Sequence, residues 1–187
     1  MAFWNDSATM EPKRVYRWLF SVAGQSQAIE NYLIKKVKKP SFETSESEHK
    51  FLNHTFFYPG KTTWGEVEFE VVDVISPNTA ETFLRMLEEA GYRAPEGPVE
   101  AGLVTAQTLS KKRSIDALGQ PTIRQVDADG NTVEEWILKG AWLKKVDFGE
   151  LDYEGEDLLS ISVSIRYDYA YANIVQPANA RLPSNAT

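Results

Sequence analysis

The sequence predicts a mainly β (α+β) protein, an antiparallel β-sandwich or barrel with one flanking helix at about residues 79–90. Three observations carry this. The segment 158–169 alternates strictly: Leu159, Ile161, Val163, Ile165, Tyr167 and Tyr169 share one parity, and Leu158, Ser160, Ser162, Ser164, Arg166 and Asp168 the other. Successive side chains of a strand face opposite sides, so this is a strand with one apolar and one hydroxylated face. Asp129-Gly130 sits between two apolar runs and signals a tight hairpin. Strand patterns come first and last with one helical pattern between them, an order that favours an antiparallel sheet assembly carrying a helix.

Along the chain, residues 1–13 read as an N-terminal arm with Phe3 and Trp4 as anchors. Val15–Ala23 alternates Tyr16, Trp18, Phe20 and Val22 against Arg17, Leu19 and Ser21, a strand closed by Gly24. Ala28–Lys38 reads as a second strand that Pro40 ends, because proline cannot donate to a ladder. The polar run 41–54 is a loop or an extended hairpin arm, and Pro59-Gly60 signals a turn. Thr62–Val74 is a strand with Val67, Phe69 and Val71 on one face and Glu66, Glu68 and Glu70 on the other.

The helix opens at Asn78, which can cap free N–H groups, with Glu81 three residues on as in a capping box. Ala80, Phe83, Leu84, Leu87 and Ala90 give its apolar stripe and Gly91 its left-handed stop. Residues 92–99 form a Pro/Gly-rich loop, and a short helix is expected around Lys112–Leu118. Thr122–Ala128 and Thr132–Leu138 pair through the Asp-Gly turn, Gly140–Lys145 continues as strand, and the long alternating strand closes the chain before a tail at 174–187. Residues 1–187 are thus expected to form one domain with an arm and a tail.

Chemistry-bearing motifs are sparse. The chain has no cysteine, which excludes disulfides, thiolate metal sites and thiol nucleophiles. His49 and His54 lie in the polar run beside Glu46 and Glu48, short of the three or four converging ligands a metal needs. Asp127-Ala128-Asp129-Gly130 matches the start of a calcium loop but places glycine fourth, where that loop needs it sixth, and a hairpin turn explains it better. No nucleophile–base motif accompanies the histidines. No catalytic residue, cofactor or metal is therefore expected. A net charge of −7 argues against tight binding to nucleic-acid phosphates. The row Glu66, Glu68 and Glu70 admits three readings: paired carboxylates for acid–base work, which needs a pocket that nothing nearby supplies, plain solvated surface, or the negative lining of a channel. Lys35, Lys36, Lys38, Lys39, Lys111, Lys112 and Arg113 are read as solvated or as pairing with acidic segments of another subunit. Trp64, Trp136 and Trp142 are read as core or interface anchors. No basic, apolar leader pattern opens the chain, and no signal peptide is expected.

Five segments, taken in order, resemble the tail tube proteins of contractile-tailed bacteriophages: Pro12–Gly24 (PKRVYRWLFSVAG), Ile34–Ser45 (IKKVKKPSFETS), Phe57–Asp73 (FYPGKTTWGEVEFEVVD), Glu135–Phe148 (EWILKGAWLKKVDF) and Leu151–Ala170. The resemblance implies a small β-barrel or sandwich whose inner strands join those of other copies into one continuous β-barrel within a hexameric ring. Rings stack into the inner tail tube, a conduit for genomic DNA inside a contractile sheath, with baseplate or tail-tip and tail-terminator proteins at its ends. It also implies synthesis in the bacterial cytoplasm and residence in the virion tail. On this reading Glu66, Glu68, Glu70, Ser160, Ser162 and Ser164 are candidates for the lumen wall. Phe42, Glu43, Glu46, Glu48, His49, Lys50, Phe51 and His54 are candidates for contacts between rings. Tubes of type VI secretion systems and contractile bacteriocins are the alternative within this architecture. A small-molecule-binding β-barrel carrier is the alternative outside it, and it requires a pocket with converging polar groups.

Overall fold

A computed structural model describes residues 12–24, 28–92 and 108–175. Its strands are β1 (Trp18–Ala23), β2 (Ala28–Ile29), β3 (Ile34–Val37), β4 (Phe42–Phe51), β5 (His54–Trp64), β6 (Val67–Val72), β7 (Thr122–Val126), β8 (Thr132–Lys139), β9 (Trp142–Asp147), β10 (Ser160–Arg166) and β11 (Tyr169–Ile174). Its helices are α1 (Thr79–Glu89) and α2 (Lys111–Leu118). The strands form a five-stranded sheet in the order β11-β8-β7-β1-β2, a four-stranded sheet in the order β3-β6-β10-β9, and the separate hairpin β4-β5. Every pairing is antiparallel.

The apolar parities of the strands meet between the two sheets. Phe20 and Val22 of β1, Ile123 of β7 and Leu138 of β8 face Val67, Phe69 and Val71 of β6 and Ile161, Val163 and Ile165 of β10 in one buried cluster. Phe20 packs edge-on against Phe69 at 5.0 Å between ring centroids, joining the sheets. Helix α1 then lays Phe83 against Phe69 at 6.5 Å. Burial of a side chain of this size contributes roughly 2 kcal/mol from area removed from water.

Asn78 caps α1 by accepting the Glu81 N–H at 3.0 Å, as the sequence predicts. The reciprocal half of the box is absent, because the Glu81 carboxylate pairs with Arg85 one turn on. The buried stripe is also rotated from the expected one. Thr79, Thr82, Phe83, Met86 and Ala90 are buried, whereas Leu84 and Leu87 stay exposed. Helical spacing allows both stripes, and docking of Phe83 on Phe69 selects the first. Gly91 stops the helix at φ +110°, with the Thr108 carbonyl only 2.7 Å from where a Cβ would stand. The flanking helix expected at 79–90 is joined, among the described residues, by the short helix expected around Lys112–Leu118, which forms as α2. α2 packs on α1 and β9 and buries Leu118, with Ser110 capping its start.

Other boundaries shift for identifiable reasons. The first strand begins at Trp18 rather than Val15, and Ala28–Lys38 is broken by a 3-10 turn at Asn31–Leu33. That turn carries the chain from the edge of one sheet to the edge of the other. The long closing strand is likewise divided at Tyr167-Asp168. β10 lies in the four-stranded sheet and β11 in the five-stranded one, so the strand turns a corner there and its parity changes. Tyr167 is buried as expected, but Tyr169 is exposed and Ala170 takes the inward place. β8 and β9 turn the same corner at Gly140, whose φ of +65° and contact with the Asp168 carboxylate leave no room for a side chain. The Asp-Gly hairpin forms as predicted. Asp127 Oδ1 accepts the backbone N–H of Asp129 (2.9 Å) and Asn131 (2.8 Å), and those bonds with Asn131 first lower its pKa.

Pro59-Gly60 does not form a turn. Both residues lie inside β5, where Pro59 pairs with Glu46 and Gly60 and Lys61 form a bulge opposite Ser45, and the chain reverses at Leu52-Asn53 with Leu52 at φ +52°. Strand β11 extends to Ile174, and Val175 still donates to Val133, so the expected tail starts later than residue 174. Phe3 and Trp4 of the arm, most of the 92–99 loop and residues 176–187 of the tail lie outside the described residues.

Candidate functional site

The six residues expected to line a lumen come together on one face. In β6 and β10, Glu70 stands opposite Ser162 and Glu68 opposite Ser164, with Ser160 opposite Val72. This is the outer face of the four-stranded sheet, since the alternate residues Val67, Phe69, Val71, Ile161, Val163 and Ile165 fill the core. Glu66 continues the row just before β6, 3.9 Å from Arg166.

The face is not purely acidic. Each edge strand of the sheet has a register shift, and each shift places an extra lysine over it. In β3 the shift falls between Ile34 and Lys36, and Lys35 Nζ donates to Ser160 Oγ at 2.6 Å and stands 3.9 Å from Glu70. In β9 Ser164 pairs with Lys145 but Ile165 with Leu143, and the extra Lys144 bonds Glu66. Lys145 lies 3.1 Å from Asp147, and that hydrogen bond first lowers the Asp147 pKa. Lys36, opposite Glu70, and Arg166 complete a surface of serines and interleaved charges of both signs. Sequence parity found the serines and glutamates. It missed the lysines, because a bulge moves a residue across faces without any local signature.

The eight residues expected to touch a neighbouring ring all lie on the β4-β5 hairpin. The polar run 41–54 is therefore an arm rather than a loop. Every residue of β4 is exposed, and so is β5 up to Trp64. Phe56 and Tyr58 stand opposite His49 and Ser47 on one face, and Phe57 stands opposite Glu48 on the other. Phe51 and His54 pair at the tip, and Phe42, beside Glu43, pairs with Trp64 at the base. Lys50 and Glu48 come within 3.7 Å, and Glu46 stands opposite Pro59. Among the described residues no group of three His, Cys, Asp or Glu could hold a metal.

The base of the arm rests on the core. Phe42 packs edge-on to Trp64 at 5.6 Å, and Trp64 leans on Tyr167 at 6.1 Å. Burial raises the Tyr167 pKa. Beside this contact lies a cavity of about 650 Å³ between β5, α1, α2 and β9, lined by Trp64, Met86, Leu118 and Trp142 among others. Of its charged groups, Lys111 bonds both carboxylate oxygens of Asp168 at 2.7 Å, and Arg166 stands 3.9 Å from Glu66.

No protein family matches this sequence, and no curated protein does either. Solved structures do match in fold. A chain in the structure of the anti-feeding prophage baseplate, 6-fold symmetrised, superposes with a TM-score of 0.63 at 15% identity, covering 90% of this chain and 99% of that one. A chain of the anti-feeding prophage tube-terminating cap gives 0.61 at 12% identity, covering 94% and 100%. A chain of the PVC sheath-tube complex, an extracellular contractile injection system in its extended state, gives 0.59 at 14% identity, covering 89% and 95%. The ordered sequence motifs and the superpositions agree: this chain has the fold of components of contractile injection systems.

Proposed function

We propose that this protein is a self-assembling structural subunit of the inner tube of a contractile tail, six copies to a ring and rings stacked end to end. The observation that carries the reading is the arm. A two-stranded ribbon standing free in water is marginal at best. This one nevertheless displays Phe42, Phe51, Phe56, Phe57 and Tyr58, each about half exposed or more. Apolar surface of that extent on an isolated ribbon calls for a covering partner. Stacked copies of the same chain supply one, in the way the tail-tube resemblance implies for Phe42, Phe51 and the other candidates for contacts between rings.

The four-stranded sheet supports the ring. Its edges are β3 and β9, and its strands alternate in direction across the sheet. An even number of antiparallel strands leaves the two edges pointing oppositely. β9 of one copy can then pair antiparallel with β3 of the next, all copies keeping one orientation, and the sheets close into a continuous barrel without edges. The outer face becomes the lumen wall, with Glu66, Glu68, Glu70, Ser160, Ser162 and Ser164 beside Lys35, Lys144 and Arg166. Paired charges and hydroxyls offer genomic DNA no uncompensated positive track, so it passes without being held. Sheath, baseplate or tail-tip and tail-terminator proteins are the remaining partners of this reading, and the virion tail is its location.

The test is negative-stain electron microscopy of the purified protein over a salt series. Hollow rings or tubes with sixfold end views are expected. Monomers under every condition, together with stoichiometric uptake of a small molecule into the cavity beside Trp64, would replace the tube by the carrier reading.

A further inference from the structure

One buried charge in the molecule belongs to neither surface described so far. Glu134 of β8 is 6% exposed and stands directly opposite Gln125 of β7, itself 9% exposed. The two side chains lie side by side and receive donors from outside their sheet. Lys39, between β3 and the arm, donates to Glu134 Oε1 at 2.8 Å and to Gln125 Oε1 at 2.7 Å. Lys13 donates to the other Glu134 oxygen, and Trp136 Nε1 to the first. Gln125 Nε2 in turn donates to the Arg14 carbonyl at 3.4 Å. Burial alone would raise the Glu134 pKa, but the hydrogen bonds from Lys13, Lys39 and Trp136 outweigh it and lower the value to about 2.

We propose that the Glu134–Gln125 pair is a positioning seat for assembly, fixing where the β4-β5 arm and the 12–17 segment leave the body. Besides its backbone continuity with β3 and β6, where the Lys38 N–H donates to the Glu68 carbonyl at 2.8 Å, the arm has two side-chain attachments. One is Lys39, on the approach to β4, held by the five-stranded sheet. The other is Trp64, at the end of β5, resting on Tyr167 of the opposite layer. The backbone bond and Trp64 hold the base to the four-stranded layer, and Lys39 is the attachment to the five-stranded one, so its loss leaves the ribbon's direction set from one layer only. A buried carboxylate suits this task because it is costly to leave unpaired, so both lysines are held to it. Lysine ends about half exposed can be released into water, so neutralising Glu134 frees the arm without leaving a charge stranded in the core.

The inference rests on the tube reading for its consequence, but its mechanism is measurable on the unassembled chain. Full-length Glu134→Gln keeps an acceptor for Trp136 and loses the charge. Hydrogen exchange would be followed at two amides: Gly65, which donates to the Ser41 carbonyl at 2.7 Å across the arm's base, and Val126, which donates to the Arg17 carbonyl at 3.2 Å. Both are expected to exchange roughly tenfold faster in the variant, amides of β6 and β10 staying protected, and ring or tube yield to fall at least tenfold. The double variant Gln125→Glu/Glu134→Gln returns the carboxylate to the opposite strand and is expected to restore both readouts, which a general packing defect would not allow. Unchanged exchange at Gly65 and Val126 in Glu134→Gln overturns the proposal, whatever the wild type assembles into. Wild-type-like tubes from the variant overturn it too. Should Glu134→Gln fail to fold, Lys39→Met decides: unchanged Gly65 exchange in that surface variant rejects the seat, and faster exchange supports it. Absence of tubes from the wild type itself would count against the tube reading, with the exchange data still judging the seat.

Discussion

At the scale of single residues, stability is concentrated at a few polar contacts. Glu134 titrates far below an unfolded glutamate, at about 2 against 4.5. A carboxylate with a depressed folded pKa stabilises fully above the unfolded value and loses that contribution as pH falls through the folded one. The stabilisation from Glu134 is therefore expected at neutral pH, to fade between pH 4.5 and 2, and to amount to at most about 3 kcal/mol. Urea midpoints of wild type and Glu134→Gln, compared at pH 6 and pH 2.5, check this: the gap should narrow sharply at the lower pH. Asn78 is a simpler case. Its Oδ1 satisfies one of the orphan amides of α1, and Asn78→Ala should cost about 1 kcal/mol in denaturant unfolding.

At the scale of elements, α1 and the arm behave oppositely. α1 is held by what it buries, and Phe83→Ala should cost about 3–5 kcal/mol, because Phe69 and its neighbours cannot collapse into the space. Leu84→Ala, one residue along on the exposed side, should stay within about 0.5 kcal/mol. Thermal unfolding of the two variants separates the buried stripe from the one sequence spacing suggests. The arm buries almost nothing within its own chain. Excising residues 45–61 and closing the opposed pair Thr44 and Thr62 with an Asn-Gly turn should leave a folded monomer with native-like thermal unfolding and no long tubes. Normal tubes from that variant would remove the arm from the assembly. α1 was legible beforehand because its cap, period and stop are all local. The arm was legible as a polar run that could be a loop or a hairpin, since its strand character depends on pairing along its length rather than on burial of either face.

At the scale of the whole molecule, the edges and the net charge govern association. β3 and β9, the free edges of the four-stranded sheet, both carry bulges and lysines, devices that discourage premature strand pairing. A ring of six chains at −7 would hold a charge of about −42. The charge repulsion opposes association at low ionic strength, where the Debye length is roughly 30 Å, and weakens at 0.15 M, where it is roughly 8 Å. Ring formation should therefore rise with salt across that range, as sedimentation velocity would show. Assembly that falls with added salt would mean that attraction between unlike charged surfaces dominates instead.

Which residues of β6 and β10 enter the core follows from local pattern alone, because period-2 alternation places Val67, Phe69, Val71, Ile161, Val163 and Ile165 on one side wherever the strands pair. Local pattern likewise determined the Asn78 cap, the Gly91 stop and the Asp-Gly hairpin, each a matter of a few adjacent residues. The corner at Gly140 and Asp168, the lysines that bulges bring beside Glu66 and Ser160, the projection of the arm, and the meeting of Lys13, Lys39, Gln125 and Glu134 arise from long-range packing. The physical reason is range. Alternation and capping are written in neighbouring side chains, whereas a bulge, a corner or a buried ion pair exists only once two distant strands have fixed their register, and no local pattern carries that register.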